Sequence, residues 1–325
     1  MTFVDLDSLC RLVMAREVSI SPVAVLRIAK HSETAATTGT TVSGCLVGLD
    51  SETGALEVTN LFLHPAKGAA DFQPQQTEEI SSQATGAEAA AANAAASYQA
   101  DAIRLMKSAN LDGNIVGWFQ SSNLSSFVNE ATVEIQFDYQ SRNPNSVILI
   151  SDSSFGGSSP IKAFRLTEEY MSFHKAMRER QNQGPATLIT GGPVTFNTGS
   201  MHVFEEVELK VDLSVLDEAF LYENRDQLSS SYYKGTNSAS TMAMQLLMEC
   251  VEDLAIEKVR FAQMSAGKTS SYGTTRLRGE DEVKRLQSAN AIILLTENIR
   301  RLKEIVSVSA TEKKITCNII SALRE

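Results

Sequence analysis

Gln120, Ser121, Ser122 and Asn123 form a polar run delivered by an apolar approach, Ile115-Val116-Gly117-Trp118-Phe119, that holds the chain's only tryptophan. Such a junction, where a buried strand hands over to a loop, is where folds commonly present chemistry. The residue types then decide which chemistry is within reach. A catalytic zinc needs about three protein ligands drawn from imidazole, thiolate or carboxylate, with a fourth position left for water. Gln and Ser are weak neutral donors, and Val133 has no donor atom at all. Neither a His-x-His pair nor an HExxH sequence occurs, and His31, His64, His174 and His202 are scattered as ordinary structural or surface histidines. The cysteines at 10, 45, 250 and 317 lack CxxC spacing and read as reduced, mostly buried thiols. Gly191-Gly192-Pro193 is not followed by the Lys-Ser/Thr of a phosphate loop and reads as a turn. No cofactor or metal is expected.

The stretch from Gly117 onward resembles the metalloprotease loop of the MPN (JAMM) family. Active members of that family read roughly Gly-Trp-Tyr-His-Ser-His, then seven residues, Ser, two residues and Asp. Gly117, Trp118 and Phe119 keep the scaffold part, but the histidine positions hold Gln120 and Ser122, the serine falls at Glu130 and the aspartate at Val133. Val42 to Gly48 resembles the family's first core strand, with Gly44 and Gly48 in place. The general-base glutamate that precedes it is here Thr41, which cannot take a proton from a metal-bound water. The resemblance thus implies a retired metalloprotease site that keeps its architecture: an α/β fold, a mixed sheet flanked by helices, followed by long C-terminal α-helices.

Further motifs resemble one noncatalytic branch of the family, the one belonging to eukaryotic translation initiation factor 3. They are the Gln120 to Ser122 form of the loop, Lys162-Ala163-Phe164-Arg165-Leu166 and Phe204-Glu205-Glu206-Val207. The similarity runs over about residues 18 to 225. It implies a cytoplasmic, noncatalytic subunit whose partners are the other subunits of that factor, including a second MPN subunit, and indirectly the small ribosomal subunit. A noncatalytic MPN scaffold of the proteasome lid or the signalosome, or a zinc deubiquitinase with an unseen ligand set, are the competing readings.

The 325 residues suffice for a sizeable core and two domains, and a net charge of -10 argues against a surface that clamps nucleic acid everywhere. Asp5, Asp7, Arg11, Arg16 and Glu17 interrupt any signal-peptide core, and no run of 18 apolar residues follows, so no membrane partner is expected. The spacing predicts a strand at Arg16 to Ile20, a helix from Ser21-Pro22 to Lys30, a loop at Ser32 to Thr40, and a hairpin of Val42 to Leu49 with Leu56 to Leu63. The Ala-rich insertion near 68–97 is predicted to begin as a mobile loop and end in a helix. A helix at Ala131 to Tyr139 and strands at Ser146 to Asp152 and Ile161 to Leu166 complete the core. The division expected is an N-terminal extension at 1–17, the MPN domain at 18–225 and a helical region at 226–325.

In that region Leu213, Leu216 and Phe220 mark a short helix, and Ser229 to Ser240 reads as a polar hinge. Beyond it Leu247, Val251, Leu254 and Phe261 recur every three or four residues, with Lys258 at one expected apolar position. After a break at Gly267 to Gly279, Ile292, Leu295, Ile299, Leu302 and Val306 do the same. These nine side chains are the candidate partner-binding residues. They close on one another as a helical hairpin or are buried against other subunits. Arg276, Arg278, Lys284 and Arg285, and again Arg300, Arg301 and Lys303, form basic clusters that are solvated helix faces or contacts to RNA phosphates. Direct RNA contact stays open at this point.

Overall fold

The computed structural model describes residues 17–51, 55–64, 86–152, 160–182, 201–224, 236–266 and 275–322. The chain runs β1 (Glu17–Ile20), α1 (Pro22–Thr38), β2 (Ser43–Asp50), β3 (Ala55–Leu63), α2 (Gly86–Ser108), β4 (Ile115–Ser122) and α3 (Glu130–Arg142). It continues with β5 (Val147–Asp152), β6 (Ile161–Leu166), α4 (Glu168–Asn182), β7 (Phe204–Val211), α5 (Val215–Glu223), α6 (Thr236–Ala266) and α7 (Thr275–Ala322). The strands close into a mixed barrel in the order β1-β3-β2-β4-β5-β6-β7. Three pairs are parallel (β1 with β3 and β7, β4 with β5) and three antiparallel (β2 with β3 and β4, β5 with β6).

Short apolar runs make these strands because both faces are covered. Every residue of β5 is buried, and Val18, Ile20, Leu46, Val58, Val116, Phe119, Leu149 and Ala163 share one core with Ala24 and Ile28 of α1. Two glycines let the strands approach. A Cβ at Gly48 would lie 1.8 Å from the Glu57 carbonyl oxygen, and one at Gly117 would lie 2.1 Å from that of Val147. Gly48 also sits at the register shift between β2 and β3.

Helix α1 begins as predicted, with Ser21 as N-cap and Pro22 in the first turn, but it runs on to Thr38 through the stretch expected to be a loop. Ala35 is buried and continues the inward face of Ala24 and Ile28. The Thr34 and Thr38 hydroxyls donate to the carbonyls four residues back, and Gly39, at φ +67°, ends the helix with a left-handed cap. The insertion does end in a helix, α2; its expected mobile first half, residues 1–16, and the segments at 153–159 and 267–274 lie outside the described residues. Helices α6 and α7 begin at Thr236 and Thr275, inside stretches read as a hinge and a break. The strand character of β7 and the whole of α4 were not predicted from periodicity.

The described residues form two compact units. One comprises residues within 1–123, 131–165 and 206–234; the other takes 124–130, 166–205 and 235–325. The helical unit claims the loop after β4 because Leu124 is packed with Ala243, Leu302 and Ile305. At its centre α7 buries Leu286, Ile292, Ile293, Ile299 and Leu302.

The glycines yield a paired test. Gly39→Ala, which meets nothing within 4 Å but must hold a positive φ, should cost about 1 kcal/mol. Gly117→Ala must displace a strand backbone and should cost about 3 kcal/mol or more, measured as the shift in urea unfolding midpoint.

Candidate functional site

The candidate site lies where the ends of β2 and β4 meet. Ser43 pairs with Gln120 and Gly44 with Phe119, and Ser121 closes the edge: its N–H donates to the Val42 carbonyl and its Oγ accepts from the Val42 N–H, both at 2.8 Å. Thr41, Gln120 and Ser122 are thereby gathered at one edge of the barrel. Helix α3 is held to the same sheet by a buried amide. The Trp118 indole N–H donates to Gln136 Oε1 at 2.9 Å, while Gln136 Nε2 donates to Gln140 Oε1 at 3.1 Å and to the Ser146 carbonyl at 3.0 Å. That anchor places Thr132 where its hydroxyl donates to Gln120 Oε1 at 3.3 Å, with Val133 fully buried beside it.

The donor set does not fit a catalytic zinc. Gln120 offers an amide oxygen already engaged by Thr132, Ser122 and Thr41 offer hydroxyls, and Val133 offers nothing. Glu130, at the start of α3, is exposed. The nearest carboxylate in register is Asp152, fully buried and paired with Ser122 across β4 and β5. Among the described residues no three His, Cys, Asp or Glu side chains come close enough to share a metal. One carboxylate with neutral oxygens cannot hold a zinc and activate its water.

Residues 14–145 match the family model described as JAB1/Mov34/MPN/PAD-1 ubiquitin protease. Those residues form a domain of this family, and the barrel to which they contribute is of the MPN type. Among curated relatives, the chain is similar to the H subunit of eukaryotic translation initiation factor 3 from Arabidopsis thaliana, 31% identical over 255 residues that cover 76% of this chain and 66% of the relative. The corresponding protein of Sclerotinia sclerotiorum is 33% identical over 172 residues, 52% of this chain and 46% of its own length. That of Nematostella vectensis is 27% identical over 251 residues, 75% of this chain and 67% of its own. The chain thus spans about half the length of the fungal relative and about two thirds of the other two.

Behind the MPN edge sits a second cluster that the sequence reading missed because its members are far apart in sequence. His64, read as a scattered histidine, contacts Ser43 Oγ through Nδ1 at 3.0 Å and Cys45 Sγ through Nε2 at 3.1 Å. Cys45 Sγ also lies 3.3 Å from the Tyr139 hydroxyl. Burial pushes the Cys45 thiol up to about 12 and lowers His64 to about 4. A neutral imidazole satisfies both of its contacts, donating from one nitrogen and accepting at the other. The cluster therefore packs β2, β3 and α3 together as uncharged groups and holds no activated nucleophile.

The nine tail residues all belong to the helical unit. Ile292, Ile299 and Leu302 are buried within the helical unit; Leu247, Leu254, Phe261, Leu295 and Val306 are half-buried there. Val251 is 48% exposed, because the α6 seam toward α7 runs through Ala243, Leu247, Cys250 and Leu254 instead. Glu257, next to the Lys258 counted as a seam position, turns inward and accepts from Ser288 Oγ at 3.1 Å. Arg301, read as part of a basic surface cluster, is 3% exposed: its Nε donates to Glu297 at 3.1 Å and its Nη2 to the Phe204 carbonyl at 3.4 Å. Arg300 pairs with the same carboxylate, which leaves Lys303 as the exposed cation of that trio.

Two measurements check this geometry. Gln136→Leu strands the indole N–H and the Ser146 carbonyl and should cost about 3 kcal/mol, read from Trp118 fluorescence during denaturation. Folded His64 binds a proton less readily than unfolded His64, so its contribution is fully present above pH 6.5 and is lost as pH falls toward about 4. The wild-type chain should lose at most about 3 kcal/mol more than His64→Gln over that window, measured by urea midpoints.

Proposed function

We propose that this chain is a noncatalytic scaffold subunit of eukaryotic translation initiation factor 3, acting in the cytoplasm in assembly of the preinitiation complex on the small ribosomal subunit. The observation that carries the reading is the set of side chains at the former ligand and base positions, Thr41, Gln120, Ser122 and Val133, on an otherwise intact MPN frame. The relatives named as H subunits of that factor support the choice of complex. No helix among the described residues is long and apolar enough to cross a membrane.

A scaffold needs faces to offer. β1 and β7 run parallel with Ile20 opposite Val211, and the Asp212 N–H donates to the Ile20 carbonyl, so α1 and α5 leave the barrel from adjacent strand ends. Both carry apolar side chains outward: Val23 and Leu26 on α1, and Val215, Leu216, Phe220 and Tyr222 on α5, with Leu216 82% exposed. An apolar surface of this kind is what a protein interface buries. We assign it to the second MPN subunit of the factor. The nine tail residues serve docking mainly by building the hairpin, with Val251 alone on an open face.

Affinity purification of the tagged full chain, followed by mass spectrometry, tests the reading. Translation initiation factor 3 subunits, including a second MPN subunit, should co-purify in stoichiometric amounts; proteasome-lid or signalosome subunits in their place would reverse it. Leu216→Asp with Phe220→Asp should weaken recovery of the MPN partner roughly tenfold without lowering the melting temperature, since both side chains are exposed.

A further inference from the structure

In the link from β4 to α3, Leu124 and Ser125 hold φ angles of 52° and 59°, and neither is a glycine. The left-handed region crowds the Cβ of an L-residue against its backbone, so two such residues in succession persist only where their surroundings over-determine them. Among the described residues the one other non-glycine with a positive φ is Asn110, a type that tolerates it well. The link therefore carries backbone strain that something must hold in place.

The α6–α7 hairpin supplies the hold. Leu124 is 5% exposed and packs with Ala243 of α6 and with Leu302 and Ile305 of α7. Asn298 of α7 donates from Nδ2 to the Val128 carbonyl at 2.9 Å. Phe127 is fully buried, its ring centroid 5.5 Å from that of Phe204. Local bonds also form within the link. The Val128 N–H donates to the Ser125 carbonyl at 3.4 Å, the Asn129 N–H to the Phe127 carbonyl at 2.9 Å and Asn129 Nδ2 to the Ser126 carbonyl at 3.2 Å. All three close beyond the φ angles of Leu124 and Ser125, so they leave the strained pair to its anchors on the hairpin.

We propose that residues 124–129 are a latch set by α7. While α7 is seated against them they keep the left-handed pair, and when it loosens they relax to negative φ. The link is covalently continuous with β4 and α3, the elements that carry Gln120, Ser122 and Val133, so a shift of α7 is passed along the chain toward those residues. The latch is a property of the single chain and stands apart from the choice of complex.

Hydrogen exchange of the full chain, read by mass spectrometry over peptides spanning residues 123–130, tests it. Asn298→Ala removes the α7 donor and should speed exchange of those amides about tenfold while the amides of α7 keep their rates. Adding Ser125→Gly, which lifts the penalty on a positive φ, should bring the rate back to within about threefold of wild type. Adding Ser125→Ala, which removes the same hydroxyl but keeps the Cβ, should give no recovery. If Asn298→Ala does not fold, Ser125→Gly and Ser125→Ala in the otherwise natural chain carry the test, with the alanine form exchanging about tenfold faster than the glycine form. Unchanged exchange in Asn298→Ala, equal recovery by glycine and alanine, or equal rates in the two single variants overturns the latch. Acceleration spread evenly over α6 and α7 does the same, because it reports opening of the whole hairpin.

Discussion

A primary amide sealed from water must find its hydrogen bonds within the chain or cost the fold the desolvation of each group left over. Gln136 is fully buried, and the Trp118 indole, the Gln140 side chain and the Ser146 carbonyl satisfy it. Because its partners come from β4, from α3 and from the start of β5, α3 has one seat on the barrel. From that seat Thr132 meets Gln120 and Val133 is buried, so the start of α3 is held against the end of β4. The close strand approach at Gly48 and Gly117 serves the same end by leaving no slack between the strands that carry the edge.

The helical unit depends on a comparable polar lock. Glu297 is buried on α7, and removing one partner of such a group is far more costly than the pair is stabilising. Arg301 and Arg300 neutralise it, Arg301 also reaches the Phe204 carbonyl, and Asn298 donates to the Val128 carbonyl at 2.9 Å. Tyr170 of α4 donates to Asn290 at 2.6 Å. These directed bonds set the rotation of α7, whose Leu286, Ile292, Ile293, Ile299 and Leu302 are buried. The surface proposed for a partner is a different one, the outward faces of α1 and α5.

Most barrel strands were legible because each is a short apolar run between turn residues. That the edge carries Thr41, Gln120, Ser122 and Val133 was legible because it is a matter of residue type alone. What failed did so for physical reasons. The Thr-rich end of α1 reads as a loop, yet Thr hydroxyls bonded to the preceding turn and one buried alanine carry the helix on. In α4 the buried Tyr170, Phe173 and Met177 are outnumbered by charged neighbours, and in β7 the buried set is thin, Phe204 and Val207. Three-four spacing on α6 admits two adjacent seams, and only the packing shows that Cys250, not Val251, faces α7. A basic residue next to others reads as solvated, and nothing local marks Arg301 as the partner of a buried carboxylate. The His64, Cys45 and Tyr139 cluster is assembled by the fold from three separate elements.

The central claim is that a hydrolase frame has been emptied of the atoms that hold a metal. Its most direct test is a zinc titration of the purified chain by isothermal calorimetry, alongside a variant carrying Thr41→Glu, Gln120→His, Ser122→His and Val133→Asp. No stoichiometric site in the natural chain, and a new one in the variant, is the result expected. One zinc per natural chain, lost on Gln120→Ala, would contradict it.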